Sequence, residues 1–170
     1  MAVTAQILRT YRHPRRVMRG LMASSLRDDR PEARGLFYVM LGCLIIAISH
    51  VPTLISVEAD LVGDAPLEAR LGIAFFGWLF VAPLLLYGLA MLSHILARVV
   101  GGQGTGFAAR LALFWTVLTV SPLFLVRALV TLANDATPVF AVEAAVALAF
   151  VVIWSACLIE AEAAPAGAAS

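Results

Sequence analysis

Residues 71–100 read LGIAFFGWLFVAPLLLYGLAMLSHILARVV and carry a single charge, Arg98. About 20 apolar residues suffice for a helix to cross a hydrocarbon core of roughly 30 Å. Strands of a membrane barrel alternate apolar and polar residues, and this stretch does not. A helix is then the structure that satisfies the hydrogen-bonding groups of its backbone in lipid. The run is longer than one crossing needs, so it can tilt, protrude or bend at Pro83. Two crossings within this run would need a turn with polar residues, and the run contains no such turn before Gly101.

Three further stretches have the same character: residues 36–57, 107–132 and 138–159. The whole chain is 62% hydrophobic and 14% charged, with a mean hydropathy of +0.94. Soluble domains are near half apolar and a quarter charged. The sequence therefore predicts an all-α, polytopic transmembrane bundle of four spans with an N-terminal amphipathic interfacial helix. The predicted organisation is a cytoplasmic basic amphipathic segment, a transmembrane bundle and a flexible cytoplasmic tail, over residues 1–35, 36–160 and 161–170.

The arginines predict the orientation in the membrane. All twelve basic residues are Arg, and eight of them precede residue 35. The first loop between spans is acidic, with Glu58, Asp60, Asp64 and Glu68 against one arginine. Positive residues stay in the cytoplasm, so four spans place both termini there. The use of Arg without Lys, together with many alanines, indicates a GC-rich bacterial genome, and hence the inner membrane.

An amphipathic helix is predicted before the first span. It begins at Pro14, a favoured first helical residue, and its apolar residues recur at helical spacing: Val17, Met18, Leu21 and Met22. Three arginines lie mostly off that stripe: Arg15, Arg16 and Arg19. Together with Arg12 they are the predicted lipid-binding residues. This pattern is typical of a helix on the inner leaflet that binds anionic lipids. The alternative is a topology signal with no docking role.

Two charges lie well inside predicted spans, Arg127 and Glu143. Each is eight positions from Asp135, which places both at similar depth, about 12 Å along their helices. A functional interpretation is a proton or anion relay, because intramembrane charges often mark transport paths. The structural alternatives are a salt bridge that clamps two helices, or two side chains that reach separately to the outer interface.

The remaining polar residues predict no catalytic chemistry. His50 and His94 lie toward opposite faces of the membrane and have no ligand partner at helical spacing, so no metal site is predicted. The glycine-rich turn at residues 101–106 lacks the lysine and preceding strand of a phosphate-binding loop. Instead it suits a tight cytoplasmic turn. We expect no enzyme activity, no cofactor and no nucleic-acid binding.

The same turn carries a family resemblance. Residues 96–107 read LARVVGGQGTGF and lead into a span that contains Thr119-Val120-Ser121-Pro122. The Gly101-Gly102 turn and Pro122 resemble the hallmark of bacterial members of the Yip-one family, relatives of Rab-interacting integral membrane proteins. The N-terminal Tyr11-Arg12-His13-Pro14 is also similar, and the resemblance extends over about residues 10–160. Family members commonly have five spans, which implies that the last helix is missing or that the second run contains two.

The resemblance implies an integral membrane adaptor or organiser and no catalytic residue. The expected function is therefore a non-enzymatic membrane protein that acts through helix–helix or lipid contacts. The alternative is a small transporter or channel subunit that uses Arg127 and Glu143, since transporters employ interrupted helices and intramembrane charges. Expected partners are the lipid bilayer, anionic lipids and other membrane proteins, and a homo-oligomer is left open.

Overall fold

The computed structural model describes residues 3–56, 66–133 and 139–163, and within them every regular element is helical. Two short helices, α1 and α2, precede four long ones, α3 to α6. Their bounds are Val3–Arg12, Pro14–Ser25, Pro31–Ser56, Leu67–Val99, Gly106–Ala133 and Val139–Glu162. The four long helices are long and apolar enough to cross a membrane. The predicted helical bundle with four spans is confirmed.

Helix α4 is continuous, so the second apolar run forms one long helix and not two crossings. Its α-helical parts, Leu67–Phe76 and Ala82–Val99, are joined by a π-helical turn, Gly77–Val81. In that turn the amide of Ala82 bonds to the carbonyl of Gly77, five residues back. Pro83 follows immediately and has no amide hydrogen to donate. The wider turn therefore accommodates the proline without breaking the helix.

Two of the long helices extend beyond the predicted apolar spans. Helix α3 begins at Pro31, before the predicted span start at residue 36, because a proline start and a polar first turn are compatible with a helix although they lie outside the apolar run. Helix α6 continues to Glu162, so Ala161 and Glu162 belong to a buried helix end and not to a flexible tail. The rest of that tail (residues 164–170), the predicted span ends Val57 and Pro138, and the loop residues 58–65 and 134–137 lie outside the described residues.

The bundle has two ends. The N-terminal face is formed by Pro31, Val99, Gly106 and Glu162, and the distal face by the opposite ends of the same helices. At the N-terminal face Arg110 of α5 donates to Glu32 of α3, with 2.7 Å between Nη2 and Oε1. At the distal face the guanidinium of Arg70 on α4 donates to the carbonyl of Leu54 on α3. The first contact joins the starts of the parallel helices α3 and α5, and the second joins the start of α4 to the end of the antiparallel α3.

Helix α5 is the centre of the bundle. Every residue from Leu111 to Ser121 is buried. Helix α3 packs along it, and an added Cβ on Gly42 would lie 3.0 Å from Val117 and 3.1 Å from the backbone of Leu118. Small residues allow membrane helices this close approach. Helices α4 and α6 lie on the outside and expose most of their apolar side chains.

The N-terminal helices pack against the bundle. The predicted apolar stripe of α2 is covered by α6, and its Met18 and Leu21 are 0% and 3% exposed. Helix α1 packs against α2 and α5. The sequence predicts a helix on the inner leaflet or a topology signal with no docking role, and the structure packs the apolar stripe on protein. The sequence pattern could not distinguish lipid from protein, because a helical stripe of apolar residues suits either surface.

Candidate functional site

The structure brings the two intramembrane charges together near the distal face. Nη2 of Arg127 lies 2.5 Å from Oε1 of Glu143. The Arg127 side chain is 16% exposed and that of Glu143 is 50% exposed. The antiparallel neighbours α5 and α6 place the two residues at similar depth. The contact is a charge-assisted hydrogen bond within a bundle of apolar helices.

His50 of α3 lies beside this pair, a position that the sequence analysis did not predict. Its ring is 5.3 Å from that of Trp78 and 6.4 Å from that of Phe124, measured between centroids. Its Nδ1 is 2.8 Å from the carbonyl oxygen of Ile46. A carbonyl only accepts, so Nδ1 carries a hydrogen, and in the tautomer with this single hydrogen Nε2 is an acceptor. The sequence did contain one signal that could have placed His50 near Arg127. The two residues lie at similar distances from the ends of their helices.

Two adjoining cavities open between the spans. The distal cavity, of about 400 Å³, has a mostly apolar lining with three polar side chains. It is lined by His50, Arg127 and Glu143 together with Phe124, Val146, Ala147, Phe150 and Val151. An apolar cavity of about 380 Å³ continues from it toward the middle of the bundle, lined by Cys43, Ile46, Trp78, Ala82, Leu85, Leu86, Val117, Val120, Phe124 and Phe150. Phe124 and Phe150 belong to both linings. We call the two cavities together the distal groove.

At the N-terminal face, the glycine turn closes against the end of α6. Gly101 has φ +97°, and its amide bonds to the carbonyl of Arg98, while the amide of Gly102 bonds to that of Ala97. This is the Schellman pattern, which ends a helix with a residue in the left-handed region. The amide of Gln103 then donates to the carbonyl of Glu162 at 2.9 Å. The predicted turn is therefore also a contact between helices.

Glu162 makes a second contact at this end, with His94 of α4. The distance from Nδ1 to Oε1 is 2.7 Å, and the Glu162 side chain is 6% exposed. The other carboxylate oxygen, Oε2, lies against Gly102 and Gly104. The sequence does not reveal this pair, because the two residues are 68 positions apart and Glu162 lies beyond the last apolar run. Among the described residues, no three His, Cys, Asp or Glu side chains group closely enough to hold a metal ion.

The predicted lipid-binding arginines remain on the surface. Arg12, Arg15 and Arg16 are exposed. Nε of Arg19 lies 2.7 Å from Oε1 of Glu160, and this hydrogen bond raises the pKa of the Arg19 guanidinium. One of the four arginines therefore links α2 to α6, and the other three face outward.

Pro122 lies inside α5 and leaves a backbone carbonyl without its amide donor. The hydroxyl of Ser121 donates to that carbonyl, on Leu118, at 2.9 Å. One residue further along α5, the hydroxyl of Tyr11 donates to the carbonyl of Thr119 at 2.5 Å. The contact with Ser121 explains how the helix tolerates the proline. The contact with Tyr11 ties α1 to the same region of α5.

A buried hydrogen bond adds a second link between these helices. Nε1 of Trp115 on α5 donates to the hydroxyl of Thr10 on α1 at 3.0 Å, and both residues are 0% exposed. Burial also raises the pKa of the Tyr11 phenol. Helix α1 is therefore held by polar as well as apolar contacts.

Comparison with known protein families gives one match. Residues 8–160 match the family described as the Yip1 domain. No curated protein and no solved structure matches the chain. The matched segment contains the glycine turn, Pro122 and the distal groove, and it begins within α1.

Proposed function

The chain belongs to the Yip1 domain family, and we propose that it is a non-enzymatic adaptor that organises its membrane through contacts with lipids and partner helices. The observation that carries this proposal is the docking of α2. Its apolar side is fixed on α6, while Arg15 and Arg16 are exposed at its surface. A cationic surface is thereby held in a fixed position at the N-terminal face.

The burial of the apolar side of α2 on protein determines how its arginines contribute to lipid binding. In a free amphipathic helix the apolar side enters the lipid and supplies much of the binding. Here that side is buried against protein, and the spans already anchor the chain. The arginines are then left to select headgroups, each with an attraction of about 1 kcal/mol to an anionic surface. Arg15 and Arg16 together, at about 2 kcal/mol, favour anionic lipids at this face by roughly 30-fold.

The proposal includes an orientation. Eight of the twelve arginines precede residue 35, and Arg98 and Arg110 lie near the N-terminal face as well. By the positive-inside rule this face is cytoplasmic. The proposed location is the inner membrane of a bacterium, with both termini in the cytoplasm.

Helix α4 supplies the proposed surface for partner helices. Its Gly72 and Gly88 are exposed, and a Cβ added at either would meet no atom within 4 Å. Between them α4 exposes large apolar side chains, including Phe76 and Phe80. Small residues at such a surface permit close packing with another helix, either of a second copy or of another membrane protein.

The test compares lipid retention by matched variants. Wild type and the double variant Arg15→Gln/Arg16→Gln are reconstituted in nanodiscs that contain anionic and zwitterionic phospholipids, and the lipids retained by the extracted protein are counted by native mass spectrometry. The control, Arg27→Gln/Arg30→Gln, removes the same charge from exposed positions that follow α2. We expect several-fold loss of anionic lipid for the α2 variant and a smaller loss for the control. Equal losses would refute the assignment to α2.

A second candidate function is a small transporter or channel subunit. The distal cavity beside Arg127 and Glu143 favours it, since transporters place intramembrane charges next to cavities. A proton-flux assay in proteoliposomes would compare Glu143→Gln with Glu68→Gln, an exposed acidic residue in the first turn of α4. Flux that falls only in the Glu143 variant supports this candidate. The absence of flux in wild type, or equal flux in both variants, excludes it.

A further inference from the structure

Along each of three helices, the lining of the distal groove changes from apolar to polar in the same direction. On α5 the lining residues Val117, Val120 and Phe124 end at Arg127, with spacings of three, four and three residues. Such spacings place the four side chains on one face of a helix. The face is apolar toward the middle of the bundle and charged toward the distal end.

Helices α3 and α6 repeat this arrangement. On α3, Cys43 and Ile46 lead to His50. On α6, Phe150 leads toward the distal end to Glu143, seven residues away. Three helices thus each contribute one polar side chain to the same end of the groove and apolar side chains to the other. An amphiphile has this distribution of polarity, whereas an ion or a small polar solute does not.

The length of the groove matches one leaflet of a bilayer. Arg127 lies six residues from the end of α5 at Ala133, which is about 9 Å along the axis. Val117 lies ten residues deeper, about 15 Å further. Half of a hydrocarbon core of roughly 30 Å is also about 15 Å. Each of the two cavities lies within the range of about 300–1,000 Å³ typical of small-molecule sites.

The polar end of the groove carries groups of both positive and negative charge. The guanidinium of Arg127 is a donor that suits a phosphate. The half-exposed carboxylate of Glu143 and Nε2 of His50 are acceptors that suit an ammonium group. Arg127 and Glu143 are in contact, so a headgroup that carries both charges close together complements them better than an anionic one. A primary ammonium donates hydrogen bonds to these acceptors, whereas a quaternary one has none to donate.

We propose that the distal groove is a binding site for a phospholipid with a primary-amine headgroup, drawn from the leaflet at the distal face. One acyl chain lies in the apolar cavity between α3, α4, α5 and α6. The phosphate contacts Arg127, and the ammonium contacts Glu143 and His50. The site uses the face opposite to α2, so it does not depend on the headgroup selection proposed there, and either can fail alone.

The experiment measures the retention of individual lipids. Wild-type protein is exchanged into micelles with phosphatidylethanolamine, phosphatidylcholine or phosphatidylglycerol of identical acyl chains, and bound lipid is titrated by native mass spectrometry. We expect phosphatidylethanolamine to bind about tenfold more tightly than phosphatidylcholine, because charge-assisted hydrogen bonds are lost in the second. Equal binding of these two lipids, or a preference for phosphatidylglycerol, would overturn the proposal.

Two pairs of variants separate the headgroup site from the acyl-chain site. Glu143→Gln is expected to remove the preference for phosphatidylethanolamine, and Glu68→Gln, at the same face, to keep it. Ala82→Phe fills the apolar cavity and is expected to abolish binding of all three lipids. Its control, Ala145→Phe, places the same ring on the exposed side of α6 away from the groove and is expected to bind normally. Retention of lipid by a folded Ala82→Phe variant would contradict the proposal.

A measurement on the unmodified protein keeps the test independent of variant folding. Phosphatidylethanolamine with a diazirine in one acyl chain is cross-linked to wild type in nanodiscs, and the labelled peptides are mapped. Labels concentrated on residues 43–46, 82–86 and 117–124 support the proposal. Labels spread along the outer surface of α4, without enrichment in the groove, refute it.

Discussion

Gly104 lies where the turn between α4 and α5 meets the end of α6, and an added methyl group tests how tightly the two fit. An ideal Cβ at this position would lie 2.2 Å from the carbonyl oxygen of Ala161 and 2.8 Å from Cα of Glu162. Both are backbone atoms, so neither can rotate aside. Ordinary contact begins at 3.4 Å. To reach ordinary contact, the turn must retreat by the difference, 1.2 Å.

The size of the effect follows from the contacts that such a retreat breaks. The hydrogen bond from the amide of Gln103 to the carbonyl of Glu162, now 2.9 Å long, would be lost. The contact between His94 and the Glu162 carboxylate, now 2.7 Å, would be strained or broken. A neutral hydrogen bond contributes about 1 kcal/mol and one to a charged group about 1.5–3 kcal/mol. We expect Gly104→Ala to lower the free energy of unfolding by about 2–4 kcal/mol.

Two other glycines provide controls. Gly101→Ala adds a methyl group where no atom lies within 4 Å, but it requires φ +97°, and the strain should cost about 1–2 kcal/mol. Gly20→Ala is in the exposed interior of α2 with open space around it, and should stabilise by about 0.5–1 kcal/mol. Unfolding is followed by tryptophan fluorescence and far-UV circular dichroism during titration of mixed micelles with SDS. A Gly104→Ala variant as stable as wild type, or more stable than Gly101→Ala, would refute the reasoning.

The same titration tests three further expectations. Ser121→Ala should lower the free energy of unfolding by about 1 kcal/mol in wild type, because the hydroxyl compensates for the amide that Pro122 lacks. In a Pro122→Ala background, where the amide is restored, the same change should cost almost nothing. Equal costs in both backgrounds would contradict this. Thr10→Val should cost about 1–3 kcal/mol because it leaves the buried Nε1 of Trp115 without its acceptor, and a loss below 0.5 kcal/mol, roughly the smallest effect of a single hydrogen bond, would argue against it. For Tyr11, burial raises the phenol pKa above its ordinary value of 10.0, so the unfolded chain ionises first and wild type should lose stability above pH 10 relative to Tyr11→Phe. Parallel pH profiles of the two proteins would show that the phenol is not protected.

Some predictions from the sequence depend only on short segments, and these agree with the structure. The number and type of spans follow from apolar runs that lipid must surround, and the turn at Gly101 follows from the left-handed backbone that ends α4. Helix boundaries agree less well, because hydropathy reports the solvent and not the backbone. The polar residues at the start of α3 and the end of α6 are helical although they lie outside the apolar runs.

The contacts between helices depend on how each one is rotated about its axis. Apolar side chains surround α6 on all sides, so its sequence does not indicate which face packs on α5 and which on α2. For this reason the pairing of Glu162 with His94, and the position of His50 beside Arg127, could not be read from spacing. The sequence indicates that Arg127 and Glu143 lie at similar depth, which allows a contact between them. The contact also requires that their helices be rotated to face each other, and only the structure shows that.

The sequence by itself determined that this protein has four membrane-crossing helices, a basic N-terminal segment and a glycine turn. Each of these features is a local response of the chain to lipid, to charge or to backbone sterics. The tertiary structure alone decided that α2 rests on α6, that the glycine turn receives the end of α6, and that three polar residues meet at one end of an apolar groove. Side-chain packing among distant segments sets those positions, and no local pattern encodes it.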